Sequence, residues 1–341
     1  MSAIAVSGLG ATATLAQASN PDLVDAVRVL ANLLETGYVI PEVARRYSAM
    51  LRRKLADGAY VALTDPRQLA SQLTADLYAV SPDRHLRVIP DADLPPENAP
   101  TASNGGAPGS SPGPHRPSRK SIEDAGWIAK DTAYIRFTAF SGEPSSVAKT
   151  AAFMAAHVTA TTLIIDCRYN GGGGTDEMNA ILPYLYTAPT RLVRMEVAAS
   201  IAKARGGTPF DRDPSMRLAA DAPTGMIARD HFVVPRMPQT PLAQASVYYL
   251  TSAFTASAAE HLALAFRHTH RAVQIGETTA GANHFGGFEH LGSGLAVFLP
   301  IGRTVDPDTG MDWEAIGIAP DIAVAPDVAL QEALRRAGVV M

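Results

Sequence analysis

Ser257 stands in the run F-T-A-S-A-A-E-H, Phe254 to His261, just past a short apolar segment and at the head of an apolar helical pattern. A hydroxyl there can act as a nucleophile, because the free N–H groups and positive end of a helix stabilise a developing oxyanion, with the N–H of Ala258 as the natural donor. An isolated serine in the same place would merely cap the helix. A second run, L-I-I-D-C-R-Y-N-G-G-G-G from Leu163 to Gly174, carries an apolar strand into a polar tip and four glycines. Consecutive glycines let main-chain N–H groups approach an anion, an oxyanion or an extended peptide without steric hindrance. No G-K-[ST] follows the run, which removes a phosphate-binding loop. No G-x-S-x-G surrounds Ser257, which counts against an α/β-hydrolase.

The elements around these runs must hold them in place. Asn20-Pro21-Asp22, Pro41-Glu42 and Asp65-Pro66 each carry helix-start chemistry, so residues 19–89 read as a small helical N-terminal domain whose third helix ends near Val80. A strand-like Leu86 to Ile89 follows. Residues 90–120 are rich in Pro, Gly and Ser with almost no large apolar side chain, which predicts a linker or long surface loop. Beyond them, strands at 133–140, 162–166, 247–251, 273–277 and 295–300 alternate with helices at 145–157, 176–186 and 257–268. That alternation predicts an α/β core over 121–341, with functional groups at strand ends.

Composition narrows the function classes. The chain has 341 residues, is 47% hydrophobic and carries a net charge of -4 without a long basic run, which argues for a globular protein and against a nucleic-acid partner. No membrane span is needed to explain it. Cys167 is the only cysteine, so no intrachain disulfide can form, and a small buried residue at a strand end is the expected role. His261, His268 and His270 lack a carboxylate or cysteine at ligand spacing and are expected to be surface histidines at a helix end, and neither a metal nor another cofactor is expected. Residues 1–18 read as a tail or the remnant of a signal peptide: Ala16-Gln17-Ala18 fits a cleavage site, but the first basic residue is Arg28. Export to the periplasm or secretion is the expectation on that reading, with a cytoplasmic location left open. Gly8 to Ala13 nearly matches a dinucleotide fingerprint but lacks the strand that must precede it.

Three runs in order, D-C-R-Y-N-G-G-G-G, T-A-S-A-A-E and G-E-T-T-A-G (Gly276 to Gly281), resemble the tail-specific, or C-terminal-processing, serine peptidases. Residues 19–89, ending in D-R-H-L-R-V-I, and the late W-E-A-I-G-I-A-P-D-I (Trp313 to Ile322) resemble the branch containing interphotoreceptor retinoid-binding protein. The resemblance implies an α/β fold: a ClpP/crotonase-like β/α core behind the helical domain, with no PDZ domain, since only the linker fills that interval. It also implies a serine peptidase acting on a peptide or protein substrate. The alternative is a non-catalytic carrier of a retinoid, fatty acid or other apolar ligand on the same fold. The oligomeric state is left open.

Within that family the general base is a lysine or a histidine. The lysine of the Ser/Lys type would stand near Ala282, and no lysine follows Lys203, so the Ser/Lys dyad is excluded. The alternative resembles the tricorn core protease, which implies Ser257 as nucleophile, His85 as base and Glu314 as its support. An oxyanion hole between the N–H groups of Ala258 and Gly172 is implied as well. Where the tricorn pattern has a serine before the histidine, this chain has Arg84. Asp83, a direct Glu314 contact or a water is left to orient the ring. Arg168 and Asn170 are expected to pin the glycine turn by hydrogen bonds. Glu260 is expected to face solvent or pair within its helix.

Overall fold

Proline opens each of the first three helices: α1 spans Pro21–Gly37, α2 Pro41–Ala56 and α3 Pro66–Val80. Its ring presets the helical φ where an N–H would have no partner anyway, and at α3 the Asp65 side chain adds a cap on the N–H of Arg67. The computed structural model describes residues 21–95 and 120–339. The tail expected at 1–18, the Gly8 to Ala13 run and most of the linker expected at 90–120 lie outside the described residues.

Two sheets follow, the first mixed and the second antiparallel throughout. In the first, β12 (Ile322–Ala323), β9 (Val273–Gly276), β8 (Ser246–Thr251), β4 (Thr162–Asp166) and β3 (Thr132–Phe137) run parallel in that order, and β2 (Ile122–Ala129) closes the far edge antiparallel. Every residue of β4 is buried, as befits a central strand covered on both faces. One face packs under α4 (Pro144–Ala156), α5 (Asp176–Ile181) and α7 (Ala258–Thr269), the other under α8 (Ala329–Arg336). Pro183 turns the end of the helix expected at 176–186 into a short 3-10 segment, Leu182–Tyr184.

The second sheet has the order β1 (Arg87–Pro90), β11 (Leu295–Val305), β5 (Thr190–Ala198), β7 (Met226–Val233), β6 (Met216–Leu218), and β10 (Phe285–Gly292) also pairs with β11. The three N-terminal helices share one apolar cluster with this sheet and with α6 (Ala199–Arg205): Leu30, Leu34, Leu51 and Leu73 pack with Val197, Val297 and Leu299 of the sheet and Ile201 of α6. The helical region is thereby fixed against the core, and β1, which follows it, enters the sheet as an antiparallel partner of β11. Among the described residues no helix is long and apolar enough to cross a membrane.

Candidate active site

Parallel strands β4, β8 and β9 lie side by side, so their carboxyl ends release three loops into one crevice, the usual place for ligands in a parallel sheet. The loop after β4 is the glycine tip, that after β8 leads to Ser257, and that after β9 is 277–284. The first two are stitched together: the N–H of Ala256 donates to the Asn170 carbonyl (3.0 Å), the Thr255 hydroxyl to the Cys167 carbonyl (2.8 Å), and the Ser252 hydroxyl to the Arg168 carbonyl.

Ser257 takes the N-cap of α7 with φ 54° and ψ -119°. A positive φ strains any residue with a Cβ by roughly 1–3 kcal/mol, and surrounding bonds must hold it there. Its own N–H donates to Oε2 of Glu260 (2.8 Å), while its carbonyl accepts from the N–H groups of Glu260 and His261. The N–H of Ala258 has no acceptor among the described residues. Gly172 lies against this turn: with φ 101°, a Cβ there would stand 2.7 Å from Ser257 Cβ and 3.1 Å from Ala258 N. Its N–H donates to the Asn170 side-chain oxygen (2.8 Å) and its carbonyl accepts from Phe140 (2.8 Å). Arg168 forms a two-pronged pair with Asp166 at the strand end and reaches the Pro326 carbonyl.

Glu260 is fully buried and accepts four donors. Oε1 receives the Thr279 hydroxyl (2.5 Å) and Gly281 N–H (2.7 Å); Oε2 receives Ala282 N–H (2.9 Å) beside that of Ser257. Burial pushes its carboxyl up, against the pull of these bonds. The chain then runs on to a second carboxylate, Glu314, whose Oε2 accepts from the N–H groups of Asn283 (2.7 Å) and His284 (3.1 Å) and whose Oε1 accepts from Arg84 (2.7 Å). Glu314 is set by a tight turn in which Ala315 takes φ 63° and donates to the Gly281 carbonyl. A Cβ on Gly281 would meet that turn at 2.9 Å, so only glycine fits.

The histidine side of the crevice is buried. The ring of His85 is stacked on Phe298 (5.4 Å between centroids), and its Nδ1 has no hydrogen-bond partner among the described residues. Burial pushes its pKa down to about 3, so the ring is neutral at pH 7. Asp83 holds the main chain of this turn, with Oδ1 accepting from the N–H groups of His85 (2.8 Å) and Leu86 (3.0 Å). Its other oxygen accepts from the Tyr38 hydroxyl (2.8 Å) and lies 2.7 Å from Nδ1 of His284. Burial opposes ionisation of Asp83, but the charge and hydrogen bond of His284 outweigh it and bring its pKa to about 2. Burial likewise opposes charging His284, and Asp83 and Glu314 outweigh it, raising the imidazole to about 8. Glu314 is raised to about 7 by burial and then by the Asp83 charge.

A model of peptidase family S41 matches residues 131–324, more than half of the chain. The chain belongs to peptidase family S41. The N-terminal domain of the S41 peptidase in eukaryotic IRBP matches residues 14–123. Among solved structures, a candidate peptidase from Parabacteroides merdae is 16% identical, with TM-score 0.58 over 93% of this chain and 96% of that one. The photosystem II D1 C-terminal processing protease is 15% identical, with TM-score 0.55 over 91% and 96%. The tricorn protease is 14% identical, with TM-score 0.53 over 92% of this chain and 35% of that one. At these identities the structures speak for the fold, and the family match makes the chain a serine-type peptidase.

In this S41 peptidase the fold brings Asp83, His85 and Glu314 into one buried cluster, and brings Ser257, Ala258, Gly172 and Asn170 into another. No hydrogen bond joins the Ser257 hydroxyl to His85, and Glu314 binds main-chain N–H groups rather than the His85 ring. Glu260 corrects one expectation: it faces neither solvent nor only its own helix but is the buried junction of two loops. The spacing Ser257-Ala-Ala-Glu260 is a capping-box signature that points to it. His284 was not singled out by any sequence signal, because its side-chain partner Asp83 is 201 residues away. Asp83, His284 and Glu314 offer donor atoms within 4.8 Å of one another, a spacing that could admit a cation. Every one of these donors already has a partner inside the protein, which favours shared protons there.

His261 is a second correction, since it is not a surface residue. It is buried, with Nε2 2.8 Å from Nδ1 of His231 on β7, whose Nε2 lies 2.8 Å from Asn179 Oδ1. Burial pushes both imidazoles down, His231 to about 4. In the unfolded chain a histidine titrates at about 6.5. The unfolded state therefore takes up protons first as pH falls, and this pair withdraws stability between about pH 6.5 and 4. Thermal melts in buffers across that window should show Tm falling by an amount equivalent to about 3 kcal/mol for His231 alone. His231→Gln should flatten the slope.

Proposed function

We propose that the chain cleaves peptide bonds through Ser257, with His85 as the proton carrier, Glu314 as its electrostatic support, and the N–H groups of Ala258 and Gly172 around the oxyanion. The observation that carries this reading is the strained Ser257 at the head of α7, beside an Ala258 N–H with no acceptor and in direct contact with Gly172. Ser257 Oγ attacks the carbonyl carbon as its proton passes to His85. The proton then goes to the leaving amine, and water repeats the sequence on the acyl-enzyme. Two adjustments accompany binding. The Asn170 amide oxygen must yield or share the Gly172 N–H, and the Ser257 and His85 side chains must come within hydrogen-bond reach of each other, as catalytic hydrogen bonds often tighten only with substrate present.

The carrier reading finds less support. A cavity of about 460 Å³ is lined by Arg191, His268, Arg271 and Asp308, a polar wall unsuited to a retinoid or fatty acid. Incubation with a pool of unstructured peptides, read by mass spectrometry, tests the choice: new termini that vanish in Ser257→Ala support the peptidase. Intact peptides together with saturable uptake of a fluorescent fatty acid would overturn it.

Gly172→Ala provides a further check. Its Cβ would strike Ser257 Cβ at 2.7 Å and the Ala256 carbonyl at 2.9 Å from a backbone already at positive φ. Displacing one oxyanion donor predicts a loss in kcat of about 100-fold or more, with KM little changed.

A further inference from the structure

Among the described residues nine buried side-chain polar atoms lack a hydrogen-bond partner, and five belong to Arg84, His85, Asn283, His284 and Trp313. They gather on the three segments that meet at Glu314. Unsatisfied buried groups are rare, and each calls for an explanation. The segment 281–284 is the link between the two halves of the site. At one end Gly281 and Ala282 bind Glu260, which also holds Ser257; at the other Asn283 and His284 bind Glu314, which also holds Arg84 next to His85. His284 closes this link, since its ring alone bridges to Asp83, the residue that fixes the main chain of His85.

We infer that His284 is a positioning residue for the peptidase reaction, which as an imidazolium between Asp83 and Glu314 locks the loop bearing His85 to the loop bearing Ser257. This rests on the Ser257 reading and extends it. His284 is 2% exposed, with Nδ1 2.7 Å from Asp83 and 3.9 Å from Glu314. The other groups facing it or its partners are Tyr38 at the end of α1, Tyr47 on α2, His85, Arg87 on β1, and Asp312. Without the proton, two carboxylates share one buried site with no cation between them, and each repels the other. The acidic pair then separates or takes up a proton, and in either case the His85 turn loses its anchor.

The test is the pH profile of kcat/KM on an unstructured peptide, for wild type and His284→Gln, which keeps a donor without the charge. Wild type should lose activity above about pH 8, with that limb reporting His284. In H284Q the limb should disappear, and kcat should fall about 100-fold with KM within twofold, as expected for a misplaced base. An H284Q profile with the wild-type limb, or a rate within twofold at every pH, would overturn the inference. So would a uniform loss at all pH values, which is what a merely structural role predicts. Should H284Q fail to fold, NMR titration of the wild-type imidazoles decides: His284 must lose its proton along the same limb, and a His284 neutral throughout pH 6 to 9 contradicts the proposal. Fluorophosphonate labelling of Ser257 in the wild type reports the underlying peptidase reading separately.

Discussion

Ser257→Ala is expected to lower kcat/KM by about 10⁴- to 10⁶-fold while leaving Tm nearly unchanged. The size follows from the role: without Oγ there is no acyl-enzyme, and only binding and the oxyanion donors remain to accelerate attack by water. Stability should hold because the turn is fixed by main-chain bonds, from Ser257 N–H to Glu260 and from Glu260 and His261 N–H to the Ser257 carbonyl, all of which alanine keeps. Alanine also meets the same penalty at φ 54° as serine, so neither strain nor relief is added. Steady-state kinetics on one peptide and a melting curve on the same preparation check both halves.

Glu260→Ala should be the most damaging substitution for stability, by about 3 kcal/mol or more. Removing the carboxylate leaves three main-chain N–H groups and the Thr279 hydroxyl without their acceptor in a fully buried site, and each buried orphan costs about 1–3 kcal/mol. Glu260→Gln keeps one acceptor oxygen but turns an NH₂ toward the other pair of donors, so an intermediate loss is expected. Activity should fall with it, because the strained Ser257 would lose the bond on its N–H and 277–284 would lose its anchor. Denaturant unfolding of the three proteins measures the order: wild type, then Gln, then Ala.

The parts of the fold visible in the sequence were those whose signals are local. Pro21, Pro41 and Pro66 open their helices, Thr162 to Asp166 is a buried strand, and Ser257 heads α7, each as its own few residues indicate. Of the second sheet only β1 and part of β11 are legible in the sequence, and the other strands are hidden for physical reasons. On β5 the buried Arg194 and Glu196 interrupt the apolar pattern, tolerated because Asp230 and Arg303 pair with them. On β10 three glycines erase any alternation, and Gly286 must be one because a Cβ there would meet the Leu299 carbonyl at 2.0 Å. The site divides the same way. Ser257 and the glycine tip announce themselves by local chemistry, and Glu260 by its capping-box spacing. His284 acquires meaning only when the fold sets it beside Asp83 and Glu314.

If Ser257 is the nucleophile, a fluorophosphonate must react with it, and peptide mass spectrometry locates the adduct. One adduct per chain is expected, on Ser257, with peptide hydrolysis lost in proportion to labelling. Hydrolysis that persists in fully labelled protein, or an adduct on another residue with Ser257 untouched, would contradict that role.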